Sequence, residues 1–319
     1  MDSRTTGTHP FPTVIITGPT ATGKTDLSLD LARYFDAPII SADARQCYRY
    51  LDIGTAKVSR EILDEIPHYH VSALNPDEPF TAADFADRVR VWSRTIRSKG
   101  KPVIVAGGST LYIESLIRPF DPLPPRNEDN IRELEMLVDR DGLASIRKKL
   151  ETVDPAYLRR IDGPNPHRMF RALDVWMQTG RPFSSFHTNR PLRVPDHTLL
   201  ICLDRERSEL HERINRRVDA MMAHGLLDEV RHILSMGYDP SLQSLRTVGY
   251  REAIAHIRGD LAAPEMIADI KTGTRRYARR QLTWFRRWKD AVWIRQSGQS
   301  EKKLAERIRN MAEQLAAET

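Results

Sequence analysis

The sequence predicts an α/β protein: a mostly parallel sheet core, split by a helical insertion. Three observations carry this. Short β-branched runs alternate with helical spacings over the first 116 residues. A proline-rich break from Arg118 to Arg126 then opens a stretch with no strand pattern. A further apolar run, Thr198 to Leu203, resumes the strands beyond it. Strands that alternate with helices build parallel sheets with both faces covered, because each crossover helix must pack back on the sheet.

Taken in order, Thr13-Val-Ile-Ile-Thr17 reads as a buried strand that stops at Gly18. Asp26 to Arg33 has apolar residues at helical spacing, and Pro38 to Ser41 is a second strand ending near Asp43. Thr81 to Lys99 reads as a helix, with Thr81 as its cap and Phe85, Val89, Trp92 and Ile96 on one face. Lys101 to Ala106 is a third strand, ending in Gly107-Gly108. From Asn130 to about Gly180 the pattern is helical, and Asn189 to Pro195 forms a second break. The expected division is a core of residues 11–116 and 196–296, a helical insertion at 117–195, and a C-terminal helix at 297–319. After Leu203 the chain reads as largely helical and rich in arginine.

Bulk properties narrow the function classes. The 319 residues are 40% hydrophobic and 29% charged, enough to bury a sizeable core without cross-links. Cys47 and Cys202 fit no metal spacing, as expected in a reducing cytoplasm. Met1 to Pro12 is polar with no apolar leader core, and no apolar run approaches a membrane span. A cytoplasmic monomer with no membrane partner is expected. The net charge of +6 favours a polyanion only where it clusters. It clusters in Arg275 to Lys289, where basic and aromatic residues alternate. Those arginines suit RNA phosphates, whereas Tyr277, Leu282 and Phe285 are expected to pack into the core.

The sharpest motif is Gly18-Pro19-Thr20-Ala21-Thr22-Gly23-Lys24-Thr25, a complete G-x-x-x-x-G-K-[ST] between a strand and a helix. Glycines let successive N–H groups face one anion, and the helix N-terminus adds a positive dipole end. Lys24 supplies a charge, and the Thr25 hydroxyl a ligand for Mg²⁺ on the same phosphate. The core is therefore P-loop NTPase-like. Such loops mostly serve ATP or GTP, and a kinase remains open on the motif alone. Against it, the Val103 strand ends in glycines without the acidic residue such enzymes use for metal. Asp43, after the second strand, reads equally as a magnesium ligand, a capping residue or a base. Pro67-His68-Tyr69-His70 lacks a third metal ligand and reads as a loop lining substrate.

Beyond these readings, the chain resembles the tRNA dimethylallyltransferases (tRNA isopentenyltransferases) of the bacterial type. The resemblance rests on the phosphate loop, on Asp43-Ala-Arg-Gln-Cys-Tyr48, on Asp52-Ile-Gly-Thr-Ala-Lys57 and on Phe80-Thr-Ala-Ala-Asp-Phe85. It continues through Gly107-Gly-Ser-Thr-Leu-Tyr112, Asn165 to Asp174, Arg213 to Met221, Gly225 to Val230, Val248 to Arg251 and Arg279 to Trp284. Together these run from about residue 14 to residue 290 in family order. Ala44, Val58 and Ser109 depart from the usual Ser, Pro and Thr. Ala44 removes one hydroxyl near the acceptor base.

The resemblance implies transfer of a dimethylallyl group from dimethylallyl diphosphate to N6 of the adenosine 3′ to the anticodon, tRNA position 37. It implies Asp43 as the base, with Thr20, Lys24 and Arg217 at the reacting groups and Mg²⁺ as cofactor. Contacts to the anticodon stem-loop are implied at Asp43, Ala44, Arg45 and Gln46, at Ser109 and Arg132, at His167, Arg168, Met169, Phe170 and Arg171, and at Arg246, Thr247, Val248, Gly249, Tyr250 and Arg251. A non-catalytic RNA-binding protein on the same fold is the other alternative.

Overall fold

The computed structural model describes residues 12–161, 163, 165–188, 191–298 and 300–317. The polar segment before Pro12 and the Asn189-Arg190 part of the second break lie outside these residues. The described chain separates into two compact units, one of residues up to Arg118 together with Leu192 onward, the other of Pro119–Pro191.

The first unit holds a single six-stranded sheet. Its strands are β1 (Thr13–Thr17), β2 (Ile39–Ser41), β3 (His68–Tyr69), β4 (Val103–Ala106), β5 (Thr198–Asp204) and β6 (Val292–Arg295), in the order β3-β2-β4-β1-β5-β6. Every pairing is parallel, with Ile15 of β1 in register with Val105 on one side and Leu200 on the other. The first helices are α1 (Lys24–Phe35), α2 (Arg60–Glu65), α3 (Ala82–Arg97) and α4 (Thr110–Ile117). The second unit contributes α5 (Glu128–Asp141), α6 (Leu143–Val153), α7 (Pro155–Leu158) and α8 (Pro166–Thr179). The first unit then resumes with α9 (Arg207–Ala223), α10 (Leu226–Ser235), α11 (Tyr250–Arg258), α12 (Ala263–Phe285) and α13 (Glu301–Ala317).

The two-residue period of a strand sends alternate side chains to opposite faces, and the buried strands use both. Val14, Ile16, Ile104, Leu199 and Ile201 join a core with Leu31 of α1 and Ile308 of α13. Ile15, Val103, Val105 and Leu200 join the other, with Phe85 and Val89 of α3, Ile113 of α4 and Phe285 and Trp288 at the end of α12. Thr81 starts α3 through a reciprocal capping box with Asp84, as the sequence predicts. Fully burying Phe85 contributes on the order of 2–3 kcal/mol. A third core, formed by α9 to α12 with Cys47, Tyr48 and Leu51, stands beside the sheet.

Two strands correct the sequence reading. His68-Tyr69, expected as loop, pairs with β2 as the sheet's edge, and Val292–Arg295, expected within a helical tail, pairs with β5 at the other edge. The first is two half-buried residues with no apolar run, whereas the second holds a three-residue apolar run, Val292-Trp293-Ile294, with Ile294 in the core, which the reading of the tail as helical passed over. The second unit is helical, as expected, around Leu134, Ile146, Leu150, Met169 and Leu173. Among the described residues no helix is long and apolar enough to cross a membrane.

His70 is 2% exposed inside a box of Phe80, Phe85, Trp92 and Tyr112, and neither ring nitrogen has a partner among the described residues. Burial, with help from the nearby Arg88 charge, pulls its pKa down to about 4. The unfolded chain therefore takes up this proton near pH 6.5 and the folded chain resists it, so the stability is lost as pH falls from 6.5 toward 4. We expect unfolding free energy to drop by about 2 kcal/mol more between pH 7 and pH 5 in the natural protein than in His70→Gln, read by urea denaturation at both pH values.

Candidate active site

All strands run parallel, so the loops at their C-terminal ends gather on one edge of the sheet, and the phosphate loop leaves β1 at its centre. Gly18 has φ 142°, and a Cβ there would lie 2.4 Å from the Leu203 carbonyl oxygen, so only glycine fits. Three carbonyls of the loop are held by other groups, Pro19 O on the side of Lys24 and the other two from behind. Pro19 O accepts from Lys24 Nζ at 2.7 Å and from Thr22 Oγ1 at 2.8 Å. Ala21 O accepts from Arg213 Nε at 2.9 Å, and Thr22 O from Arg205 Nε at 3.3 Å. Gln296 Oε1 fixes Arg205 by accepting from its Nη2 at 2.6 Å.

In a trans peptide the next N–H points away from the preceding carbonyl. The Thr22 and Gly23 N–H groups are therefore turned away from Arg213 and Arg205. Among the described residues none accepts a hydrogen bond from the N–H of Ala21, Thr22 or Gly23. These donors and the first turn of α1 form a nest for an anion.

The nest opens into a cavity of about 540 Å³ lined, among others, by Thr20, Lys24, Asp43, Arg213, Arg217 and Tyr277. Two of its cations are electrostatically stressed. Burial, then the Arg217 charge, lowers the Lys24 pKa to about 8. Burial also lowers the Arg217 pKa, against a favourable contribution from Asp43. An anion between these cations relieves both, which makes the cavity a receptor for a multiply charged anion.

The positions of Asp43 and Arg217 trace back to one loop. Asp43 Oδ1 accepts from the backbone N–H of Arg45 at 2.8 Å and of Gln46 at 3.2 Å, so one carboxylate oxygen caps the turn. Gln46 Nε2 donates to Thr55 O at 3.2 Å and Ala56 O at 3.3 Å, and Arg217 Nη2 to the same Thr55 O at 3.0 Å. The Asp52–Lys57 segment is thus the shared support of the acid and the arginine. Glu229 holds that segment, accepting from the N–H groups of Asp52 at 2.9 Å, Ile53 at 2.6 Å and Gly54 at 3.1 Å, and from the Tyr250 hydroxyl at 2.6 Å. Lys57, its Nζ bonded to Tyr48 O, Asp52 Oδ1 and Ser72 Oγ, closes the far end. Glu229→Ala leaves four donors without their charged acceptor. We expect it to lower stability by about 3 kcal/mol in chemical denaturation and to weaken catalysis by loosening Arg217.

The predicted residues fall into three groups. Thr20, Ala21, Gly23, Lys24, Thr25, Asp43, Ala44, Arg45, Gln46, Arg217, Thr247 and Val248 line the one cavity. Ser109 begins α4 with its N–H on Ala42 O, and Arg246 and Arg251 are exposed, the latter paired with Glu252. Tyr250 is fully buried against Glu229, which makes its side chain a brace for the loop and not a surface for RNA. In the second unit His167 and Arg168 are exposed at the start of α8, and Arg132 is exposed and paired with Asp129. Met169 is 2% exposed in that unit's core with Phe170 packed against it, so these two hold the helix that displays His167 and Arg168. Arg171 is tied to Asp174 and to Pro124 O.

Three contributors escaped the sequence reading. Arg213 sits one helical turn before Arg217, and that spacing was its available signal. Tyr277, expected in the core, instead lines the cavity with 40% of its surface exposed. Its hydroxyl is pushed up to about 12 by burial and the Asp43 charge, so it stays protonated. Gln281, one turn further along α12, is 2% exposed and reaches both the phosphate loop and the β4–α4 loop. Phe285 is in the core, as expected.

Comparison with known proteins shows the family. The model of the IPP transferase family matches residues 46–288. The tRNA dimethylallyltransferase of Syntrophobacter fumaroxidans is 41% identical over 288 residues, 88% of this chain and 84% of that protein. The enzyme of the same name from Thermotoga petrophila is 42% identical over 280 residues, 88% of this chain and 90% of that one. Among solved structures, the tRNA isopentenylpyrophosphate transferase of Bacillus halodurans superposes with a TM-score of 0.71 at 34% identity, covering 96% of this chain and 97% of that one. A eukaryotic dimethylallyltransferase solved acting on tRNA shares the fold, with a TM-score of 0.78 at 22% identity. With a family model matched over residues 46–288 and relatives about 40% identical over most of both chains, the chain belongs to the IPP transferase family, the family of the tRNA dimethylallyltransferases.

Proposed function

We propose that this protein transfers a dimethylallyl group from dimethylallyl diphosphate to N6 of the adenosine 3′ to the anticodon, position 37, releasing diphosphate. The observation that carries this is the pairing of half-buried Lys24 and Arg217 with Asp43 in a single cavity beside an anion nest. The diphosphate seats on the Gly23 N–H and the first turn of α1, with Lys24 and Arg217 beside it. As the allylic C–O bond stretches, negative charge gathers on the departing diphosphate, where these donors are already fixed. The adenine amine is a weak nucleophile and must lose a proton as the new C–N bond forms. Asp43 Oδ1 is committed to the turn, which leaves Oδ2 as the atom that takes this proton. The adenine leaves its stack to reach the cavity, with Arg45 on its wall and exposed Arg276, Arg279 and Arg280 on α12 as contacts for RNA phosphates.

A magnesium ion fits this donor set in one way. No cluster of three or more acidic, histidine or cysteine side chains exists among the described residues. The Thr25 hydroxyl, on the cavity lining, would hold the ion beside the diphosphate. When bound, the ion neutralises charge on the leaving group.

Incubating pure protein with labelled dimethylallyl diphosphate, Mg²⁺ and unmodified tRNA tests the proposal. Label is expected in the tRNA, at one adenosine. Absence of label with turnover of ATP under the same conditions would mean a kinase instead.

A further inference from the structure

Gln281 projects from α12 between the two loops that border the cavity. Its side-chain oxygen accepts from the Thr20 N–H at 3.0 Å, and its side-chain nitrogen donates to Gly108 O at 2.7 Å. The residue is 2% exposed, and Tyr277, on the preceding turn, lines the cavity beside it. Gly108 is matched to this amide: a Cβ there would stand 2.5 Å from Gln281 Nε2. A buried glutamine is costly unless both ends are satisfied, and here both ends are spent on backbone of separate loops.

The Thr20 peptide is also the one whose carbonyl partner, Pro19 O, is held by Lys24 and Thr22. Its N–H therefore points away from the anion nest and toward α12. Gln281 takes this donor out of use for phosphate and turns it into an anchor. The front of the phosphate loop, where Thr20 lines the cavity, is thereby pinned to the neighbouring β4–α4 loop, whose Gly107 already bonds Thr17 at the end of β1.

We propose that Gln281 is a positioning residue for the transfer: it fixes the Thr20 front of the phosphate loop against the β4–α4 loop, and so the alignment of donor and acceptor across the cavity. It acts on alignment and leaves the affinity for each reactant to other groups. This rests on the prenyl-transfer reading above. The nest, Lys24 and Arg217 still bind the diphosphate without it, and the arginines of α12 still meet RNA. The rate of the step, in contrast, depends steeply on small misplacements of the reacting atoms.

The test compares Gln281→Met, which removes both bonds at similar length, Gln281→Glu, which keeps an acceptor for Thr20 but opposes the Gly108 carbonyl, and Gly108→Ala, which displaces the amide. Each is assayed by steady-state transfer, by donor KM and by tRNA Kd, with thermal melting as a check on folding. Gln281→Met is expected to lower kcat ~30-fold, with KM and Kd within about threefold. Gln281→Glu is expected to lose less. Gly108→Ala is expected to reproduce the kcat loss in the natural background and to add little in Gln281→Met, where the amide it displaces is gone. If Gln281→Met does not fold, Gln281→Glu and Gly108→Ala carry the comparison of kcat with KM. Unchanged kcat, a loss confined to KM or Kd, or fully additive effects of the two sites would overturn the proposal. If the natural protein transfers no prenyl group, the underlying reading fails instead, and the two failures are told apart.

Discussion

Asp43→Asn is expected to lower the rate of prenyl transfer by ~100-fold or more while tRNA affinity stays within a few-fold, the usual scale for loss of a general base. Asparagine is the informative replacement. Its side-chain oxygen can still accept from the N–H groups of Arg45 and Gln46, so the turn survives and only the proton acceptor is lost. Alanine removes both, and would mix a loosened Gln46 and Thr55 contact into the result. A rate within threefold of the natural protein's would remove Asp43 from the chemistry and leave it as a turn residue. Single-turnover assays with saturating donor, read beside a binding titration, make the distinction.

Arg217→Gln has the second large expected effect, a fall of ~10²–10³-fold in kcat, the size seen when one fixed donor to a developing anion is removed. It carries a second signature. The free protein must keep Lys24 charged to take up the diphosphate, and burial with the Arg217 charge lowers its pKa to about 8. In the natural protein kcat/KM for the donor is expected to fall tenfold per pH unit above about 8. With Arg217 gone, one of the causes of that depression is gone, so the falling limb moves to higher pH. A limb that stays in place would show that some other group governs it.

Much of this was legible in the chain because the physics was local. The β1–loop–α1 unit needs only a β-branched run, glycines and a helical spacing, all contiguous. The helical character of residues 130 to 180 likewise follows from periodicity alone. The edge strands were not legible. His68-Tyr69 is a strand by virtue of neighbours far away in sequence and leaves no apolar signature, while Val292-Trp293-Ile294 is apolar but too short for periodicity to tell a strand from a helical segment. The same holds within α12. Tyr277, Gln281 and Phe285 follow one another at four-residue steps, and each step drifts about 40° around the helix. One stripe therefore runs from the cavity into the core, and periodicity assigned its aromatic ends the same fate. The polar residue between them was the available sign that the stripe changes environment.

The clamped carbonyls of Ala21 and Thr22 have a consequence for what happens after the bond is made. A cradle held from behind needs little ordering when an anion arrives, and little relaxes when the prenyl chain has left. Inorganic diphosphate keeps every contact its ester had and carries more charge. Product should therefore dwell in the loop, inhibit competitively against the donor and, at saturating tRNA, make its own escape the slow event of each turnover.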